Sequence, residues 1–550
     1  VAGDVLRQTI RGQNNVDTKS NEASLALQVS NLTTGVRKTA RKDFSAVPLD
    51  MFNYRSMKLF VNGDPSFNYT SEQVYDATMI VRFGNDSNNY YEYRAPVHPD
   101  VRPGQPWDSL NNVTINFADL TRIKLARDSA NVPVSIPVPN GPPGSEYRVF
   151  GNPDLKSIRE IILGVEKNRT ALNSAISGSV WFNELRLVNV IDNEGVAFNF
   201  NANVKLADLM DLNFAMARTD PYFHSLDGRF GTRNTGLSWD FSATVYADRL
   251  INNLITSVFS ESWGNFLTLP ITFRHSENLS EPQYFPGTDI ELDKAAEQKY
   301  LTVLAETGDP EQAQIASDNV KTEAQTLIVR NNIALNNVGF NFPGGFFLTK
   351  NIINALRFNF NADFGGSRDV TYENKDDFRY NGGVSFATDF GLSDILHLNI
   401  GNLLPLGERY AGAKLYFCLP FIPLAPLFAK SFSALVDFNR SRAESKQRKF
   451  AEEDLPSRQF IANRGFRFDW KFIENWIVDL NGSYDFRAGS DLTDLETTND
   501  SIANQRPNDE IFDDIFFNEG LINFGEDLDY SQNIAFNPSF NLPLIDKFVS

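Results

Sequence analysis

Ser177-Gly-Ser-Val-Trp-Phe-Asn-Glu-Leu-Arg-Leu-Val-Asn-Val190 runs almost directly into Val196-Ala-Phe-Asn-Phe-Asn-Ala-Asn-Val-Lys-Leu206. In the first stretch apolar residues occupy both parities, the pattern of a strand buried on both faces. In the second they alternate strictly with polar ones. This change of period predicts a junction between a water-soluble β-domain, residues 1–192, and a β-structure facing two different environments, residues 193–550.

Upstream of the junction, short β-like runs occur at Leu25-Ala-Leu-Gln-Val29, Arg55-Ser-Met-Lys-Leu-Phe-Val61, Ala77-Thr-Met-Ile-Val-Arg-Phe83, Tyr90-Tyr-Glu-Tyr-Arg-Ala-Pro96, Asn112-Val-Thr-Ile-Asn-Phe117 and Ile158-Arg-Glu-Ile-Ile-Leu-Gly-Val165. Turn-rich pieces such as Asn62-Gly-Asp-Pro65 separate them, and this spacing predicts a β-sandwich of jelly-roll type. Tyr90, Tyr91, Tyr93 and Trp107 are either cross-strand core pairs or a carbohydrate-stacking platform.

Downstream, alternating strands recur at Leu237-Ser-Trp-Asp-Phe-Ser-Ala-Thr-Val-Tyr-Ala247, Leu356-Arg-Phe-Asn-Phe-Asn-Ala362, Phe466-Arg-Phe-Asp-Trp-Lys-Phe472 and Val478-Asp-Leu-Asn-Gly-Ser-Tyr-Asp-Phe486, among roughly a dozen candidates. Several approach the ~9 to 11 residues that cross a bilayer as a tilted strand. The pattern therefore predicts part of a large antiparallel transmembrane β-barrel, with the apolar row toward lipid and the Asn-rich row toward a water-filled lumen. Connections are expected to alternate between compact joints (207–211, 351–355, 392–395, 473–476) and long excursions (219–235, 276–327, 365–380, 441–464, 488–530), the long loops lying outside the cell. Within the second excursion, about residues 288–327, a helical hairpin insertion is expected on the barrel rim, with Asp309 before Pro310 as its cap and Leu301, Leu304 and Ile315 as its apolar contacts.

Composition narrows the function. A net charge of −18 argues against nucleic acid, and the one mildly basic run, Arg37-Lys-Thr-Ala-Arg-Lys42, reads as a solvated loop. The single cysteine, Cys418, excludes an intrachain disulfide framework and reads as a buried small residue. No stretch reaches the ~18 apolar residues of a transmembrane helix, which says nothing against alternating strands. Val1 to Ile10 shows no signal-peptide pattern, so the chain reads as an internal or processed piece. His98, His224, His275 and His397 are scattered without metal-ligand spacing. The acidic clusters at 376–377, 509–514 and 526–529 lack the pattern of a calcium loop, so they read as solvated charge. No catalytic constellation and no cofactor motif emerges; the chain is expected not to be an enzyme.

Val180-Trp-Phe-Asn-Glu-Leu-Arg-Leu187, with its continuation through Lys205-Leu-Ala-Asp-Leu209, and Leu49-Asp-Met-Phe-Asn-Tyr-Arg-Ser-Met-Lys-Leu-Phe-Val61 upstream, resemble the SprA (Sov) family. Asn89-Tyr-Tyr-Glu-Tyr93, Gly151-Asn-Pro-Asp-Leu-Lys-Ser-Ile158 and Pro282-Gln-Tyr-Phe-Pro286 add to the likeness, which is strongest over residues 23–292. These are giant outer-membrane translocons of the type IX secretion system in the Bacteroidetes group, linked to gliding motility. The resemblance implies a wide protein-conducting barrel passing folded cargo that carries a C-terminal secretion signal. It also implies two partners, a PorV-type outer-membrane barrel and a periplasmic plug protein. It supplies no catalytic, metal or cofactor residues; Val180, Trp181, Phe182, Asn183, Glu184, Leu185, Arg186 and Leu187 are a structural signature. Trp181, Phe182 and Leu185 are expected to pack in the last strand of the soluble domain, and Asn183, Glu184 and Arg186 to fix the turn that follows. One departure is that Pro286-Gly-Thr-Asp289 replaces an Asn-Pro-Leu-Asp-Pro-Asp-like run.

The other reading is a surface glycan- or adhesin-binding sandwich on a β-rich stalk. Carbonate extraction of native membranes separates the two, since a barrel segment stays in the pellet as a heat-modifiable integral protein and a surface module is released.

Overall fold

The computed structural model of the chain describes residues 9–11, 17–19, 23–100, 107, 109–126, 132–170, 173–228, 230–389, 397–401, 412–416, 429–450, 456–493, 506–513 and 526–540. Cys418 and the joint at 392–395 lie outside them. In chain order the strands begin with β1 (Thr9–Arg11), β2 (Asp17–Lys19), β3 (Leu25–Thr33), β4 (Arg37–Asp43), β5 (Tyr54–Gly63), β6 (Ala77–Asp86), β7 (Asn89–Pro96) and β8 (Val113–Asn116). Helix α1 (Phe117–Ala126) is followed by β9 (Val134–Pro137), β10 (Glu146–Phe150), β11 (Glu160–Lys167), β12 (Ala175–Val190), β13 (Ala197–Leu206), β14 (Met210–Thr219) and β15 (Asn234–Tyr246). Then come α2 (Ala247–Val258), β16 (Leu267–Thr268), β17 (Pro270–Pro282), α3 (Leu292–Thr307), α4 (Pro310–Ala324), β18 (Thr326–Phe340), α5 (Phe347–Asn351), β19 (Leu356–Arg368) and β20 (Tyr372–Asp389). The remainder are β21 (His397–Asn399), β22 (Lys414–Tyr416), β23 (Ser431–Gln447), β24 (Ser457–Glu474), β25 (Val478–Asp491), α6 (Asn508–Asp513) and β26 (Glu526–Phe540).

The chain forms two compact units. The first comprises Val1–Ala197, Thr219–Thr235 and Glu281–Ala324, and the second comprises Phe198–Arg218, Gly236–Ser280 and Gln325–Ser550.

The first unit is built on a sandwich of two sheets, ordered β4-β11-β6-β7-β10-β9 and β3-β12-β5-β8. Met79, Val81 and Phe83 of β6 and Tyr91 and Tyr93 of β7 meet Leu59 and Val61 of β5 and Val180 and Phe182 of β12 in one core. The outward residues of the larger sheet are charged and paired across strands. Glu92 accepts from Arg82 at 2.6 Å and from Arg94 at 3.3 Å, and Arg94 reaches Glu166 at 3.3 Å. The basic run expected to be a loop is instead edge strand β4, paired residue for residue with β11. Its cations meet the acids of that strand, Arg37 on Glu166 and Arg41 on Glu160, each at 3.1 Å. A charged edge of this kind also discourages pairing with another chain.

Strand β12 has one buried face, not two. Val180 and Phe182 point into the core, whereas Trp181 and Leu185, expected to pack, are 41% and 38% exposed. Glu184 adopts a left-handed φ of 54°, where the register against β5 shifts between Asn183 and Arg186. A bulge of this kind lets the strand bend and re-aims the side chains that follow.

Helices α3 and α4 form the expected hairpin, and Asp309 caps α4 by accepting from the Glu311 backbone N–H at 2.9 Å. Gly308 ends α3 in the left-handed region, its N–H bonded to the Leu304 carbonyl at 2.8 Å. The buried residues of the two helices are Leu292, Ala296, Ala313, Ser317 and Ala324, while Leu301 and Ile315 are exposed. Of the three apolar contacts expected of the hairpin, Leu304 is half-buried, whereas Leu301 and Ile315 face outward and Ala296 and Ala313 lie inside.

The second unit is a 14-stranded antiparallel sheet that runs from β13 to β26 largely as a meander. Eleven of its strands are 10–18 residues long. Register links Ile333 to Ala362, Phe360 to Gly382, Val384 to Val436, Phe432 to Phe468, and Phe466 to Phe486. Because side chains alternate with period two, one face carries the apolar row and the opposite face the polar one. The bulge at Asn337 (φ 56°) keeps this phase, so that Val338 pairs with Phe358 on the same face as Leu335 with Phe360.

Connection lengths depart from expectation. Residues 365–380 are not an excursion: β19 and β20 extend until only Asp369 to Thr371 remain between them. The joint after β15 contains α2, and β21 and β22 lie in the stretch between β20 and β23. Long and short connections therefore do not sort by end of the sheet, and the long-loop rule assigns no outside.

Burial in the sandwich core raises the pKa of the Tyr93 phenol, and neighbouring Tyr147 adds to the effect. A raised folded-state value means that the stabilisation is complete below the ordinary tyrosine range near 10 and is lost as pH climbs through the folded value. Thermal melts of the intact chain should fall on alkalinisation above about pH 10. Tyr93→Phe should flatten part of that loss; an unchanged pH slope in the variant excludes Tyr93 as a contributor.

A buried ion pair and a two-faced sheet as the candidate functional site

In the first unit, the segment from Glu281 onward completes the sandwich. Tyr284 packs on Phe52 with ring centroids 4.2 Å apart, and the turn 285–290 closes through Phe285 N–H to the Ile290 carbonyl at 2.8 Å. Gly287, at φ 72°, supplies the left-handed residue that turn requires. The turn delivers Asp289 into the core, where it is 2% exposed.

Asp289 is held by three donors. Lys124 Nζ reaches Oδ1 at 2.7 Å, Tyr91 Oη donates to Oδ2 at 2.6 Å, and the Leu155 backbone N–H donates to Oδ2 at 3.2 Å. Lys124, itself 5% exposed, also donates to the Pro153 carbonyl at 2.7 Å. A buried carboxylate and ammonium with this many partners form a satisfied pair; removing one member would strand the other charge away from water. Nearby, burial raises the pKa of Asp154, the charge of Asp289 pushes the same way, and the Lys156 backbone N–H opposes it. Tyr284 is raised by burial and then by the charge of Glu291.

A second stretch, Thr219–Thr235, is tied to the same unit. Arg233 bonds Asp50 at 2.7 Å and lies over the Phe52 ring at 5.1 Å, and its carbonyl accepts the Gln283 N–H at 2.8 Å. Between these elements lies a cavity of about 830 Å³ whose lining includes Tyr54, Asn116, Asn189, Tyr222, Tyr284 and Asp289. Nothing in the residue pattern marked Asp289 beforehand; the only signal was that this turn departs from the family-like run.

In the second unit the polar face is laced by short cross-strand contacts. Asn332 Nδ2 donates to Asn361 and Asp363, both at 2.7 Å, Arg274 meets Asp240 at 2.7 Å, and Asn463 donates to Asp437 at 2.9 Å. On the opposite face Phe358, Phe360 and Phe364 are exposed, as are Phe273, Ile333, Ile534 and Phe536. The apolar face becomes basic toward one end, where Arg440 lies opposite Phe460 and Arg442 opposite Arg458. Arg440, only 2% exposed, donates to Tyr380 Oη at 2.7 Å. Phe460 and Ala462 are covered there by Leu492 and Ile511.

The residues weighed from sequence are dispersed. Tyr91 and Tyr93 are core residues, Tyr90 packs beneath the Arg82 guanidinium at 3.8 Å, and Trp107 is half-buried, so no open aromatic platform forms. His98 is buried in the sandwich, His224 is exposed, His275 hydrogen-bonds Asn331 at 2.7 Å, and His397 lies on β21. Asp377 is paired with Arg330. Among the described residues no group of three or more His, Cys, Asp or Glu is placed to hold a metal ion. No described helix is long and apolar enough to cross a membrane, which bears on helices alone.

A buried ion pair closes the sandwich of the first unit, and the long sheet of the second unit carries one apolar and one polar face. A family model for the SprA N-terminal region, described as motility related/secretion protein, matches residues 3–296, and the chain belongs to that family. A comparison with the curated proteins finds no match.

Lys124→Met should destabilise the first unit by about 3–5 kcal/mol by leaving Asp289 buried and unpaired. Lys124→Met combined with Asp289→Leu should recover much of that loss. Chemical denaturation of the four-member cycle measures it, and additive losses would show that the two charges do not act as a pair.

Proposed function

We propose that this chain is a section of a protein-conducting translocon of the type IX secretion system, set in the outer membrane and linked to gliding motility. Folded cargo with a C-terminal secretion signal passes through a wide β-barrel to which the long sheet contributes an arc. The chain performs no bond chemistry. Its partners on this reading are the cargo, the lipid bilayer, a PorV-type barrel and a periplasmic plug protein. Family membership supports a role in secretion or motility. The observation that carries the rest is the register-continuous sheet whose exposed face is aromatic and aliphatic and whose other face is hydrogen-bonded polar residues. An exposed apolar face of this extent suits lipid, and a polar face suits a water-filled lumen.

The facing is testable at neighbouring positions of paired strands. Phe360→Arg places a cation on the apolar face and should cost about 2–4 kcal/mol near the bilayer midplane, so that little heat-modifiable protein accumulates in membranes. Asn381→Arg, on the polar face, should assemble normally. Equal accumulation of the two variants would overturn the assignment of faces.

A further inference from the structure

Helix α2 (Ala247–Val258) turns its apolar side away from the protein. It is fastened by a polar residue, Asn252, whose Nδ2 donates to the Leu267 carbonyl at 2.8 Å and whose Oδ1 accepts the Leu267 N–H at 2.9 Å. Asp248 and Asn252, one turn apart, are its buried residues. At 3.6 residues per turn, Leu250, Ile251, Leu254 and Val258 occupy a sector roughly 100° wide, with Arg249, Asn253 and Ser257 beside it. Leu250, Leu254 and Val258 are 59%, 68% and 69% exposed. A surface helix of a water-soluble domain does the reverse, burying its apolar stripe against the core.

The exposed stripe continues into an aromatic cluster. Phe259, itself exposed, stacks on Trp263 at 5.3 Å; Trp263 contacts Phe266 and Phe342, and Phe266 contacts Phe340 at 5.7 Å. Phe340 ends β18 on the row that holds Val338 and Phe358, so the cluster adjoins the apolar face of the sheet. Beyond it, α5 is flanked by exposed Phe346 and Ile352 and contains exposed Leu348. Arg249 and Lys350 are exposed cations of these two helices.

We propose that α2, with the Trp263 cluster and α5, lies in the headgroup–acyl boundary of the bilayer and anchors this rim of the sheet. The inference rests on the membrane reading of the sheet and extends it to a segment that does not cross. Twelve residues make a helix about 18 Å long, too short to span but suited to lying in the plane. An aromatic band joined to the apolar face, with cations beside it for lipid phosphates, fits lipid better than a protein partner.

The test uses the intact protein with Cys418→Ser, which removes the single native thiol, reconstituted in phosphatidylcholine vesicles. A bimane label is placed by Leu254→Cys, Phe360→Cys or Asn253→Cys. Quenchers are lipids spin-labelled near the headgroup, lipids spin-labelled at mid-chain, and aqueous iodide. Label at Leu254→Cys should lose more emission to the shallow lipid quencher than to the deep one, label at Phe360→Cys should be quenched by lipid, and label at Asn253→Cys by iodide. If Leu254→Cys responds to iodide alone, or to no quencher because a protein or second copy covers it, the anchor is overturned even where Phe360→Cys remains lipid-quenched. If Phe360→Cys escapes both lipid quenchers, the membrane reading of the sheet falls, whatever Leu254→Cys reports.

Discussion

Side chains on a strand alternate with a period of two, and a slip of one residue exchanges its faces. The second unit depends on keeping that phase through eleven long strands. It is kept by pairing: Phe360 opposite Gly382, Gly382 opposite Phe438, Phe438 opposite Ala462. A cavity-free fit is part of the reason for glycine at 382, where an added Cβ would lie 2.9 Å from the Phe438 ring. Where sequence and pleat fall out of step, a bulge restores them. At Asn337 the extra residue takes a left-handed conformation that asparagine tolerates, and its N–H is satisfied by the Asn359 side chain at 2.7 Å. Without it, Val338 and Phe340 would turn to the polar face.

The first unit solves a different problem. Its sandwich is closed partly by residues far along the chain, and Tyr284 and Asp289 reach it only after β17. Apolar packing of Tyr284 on Phe52 supplies general attraction. The Lys124–Asp289–Tyr91 cluster supplies uniqueness, because a buried carboxylate with three donors tolerates one placement of its turn. The segment is thus fixed in register to the sandwich, as a purely apolar plug would not be.

Local alternation was legible in the residues because it is a local consequence of the pleat. Most of the sandwich strands, the long alternating strands and the α3–α4 hairpin could be read that way, and the Asp309 cap could be placed to the residue. Strand ends were harder. Charged stretches such as Arg368 and Asp376-Asp377 look like loop, yet cross-strand pairing of Arg330 with Asp377 carries them into the sheet. Edge strand β4 was hidden for the same reason, since its Arg and Lys are balanced by β11 acids more than a hundred residues away. Trp181 and Leu185 misled in the opposite sense: their apolarity suggested a core, but parity puts Trp181 outside and Leu185 falls in the bulge that follows Glu184. Long-range partners decide these cases, and a single sequence does not display them.

The burial of Asp289 belongs to that class and shows where sequence comparison stops helping. Its turn was the place where the chain departs from the family-like run, so likeness gave no role to the residue. The role follows from three distances and from the cost of an unpaired charge. The same reasoning distinguishes α2 from an ordinary surface helix, because its attachment runs through Asn252 while its leucines have no described partner. A polar attachment leaves the apolar face available. On the membrane reading proposed above, the phenylalanines exposed along one side of the long sheet and the leucines of α2 meet the same demand, apolar surroundings on that side and water on the other.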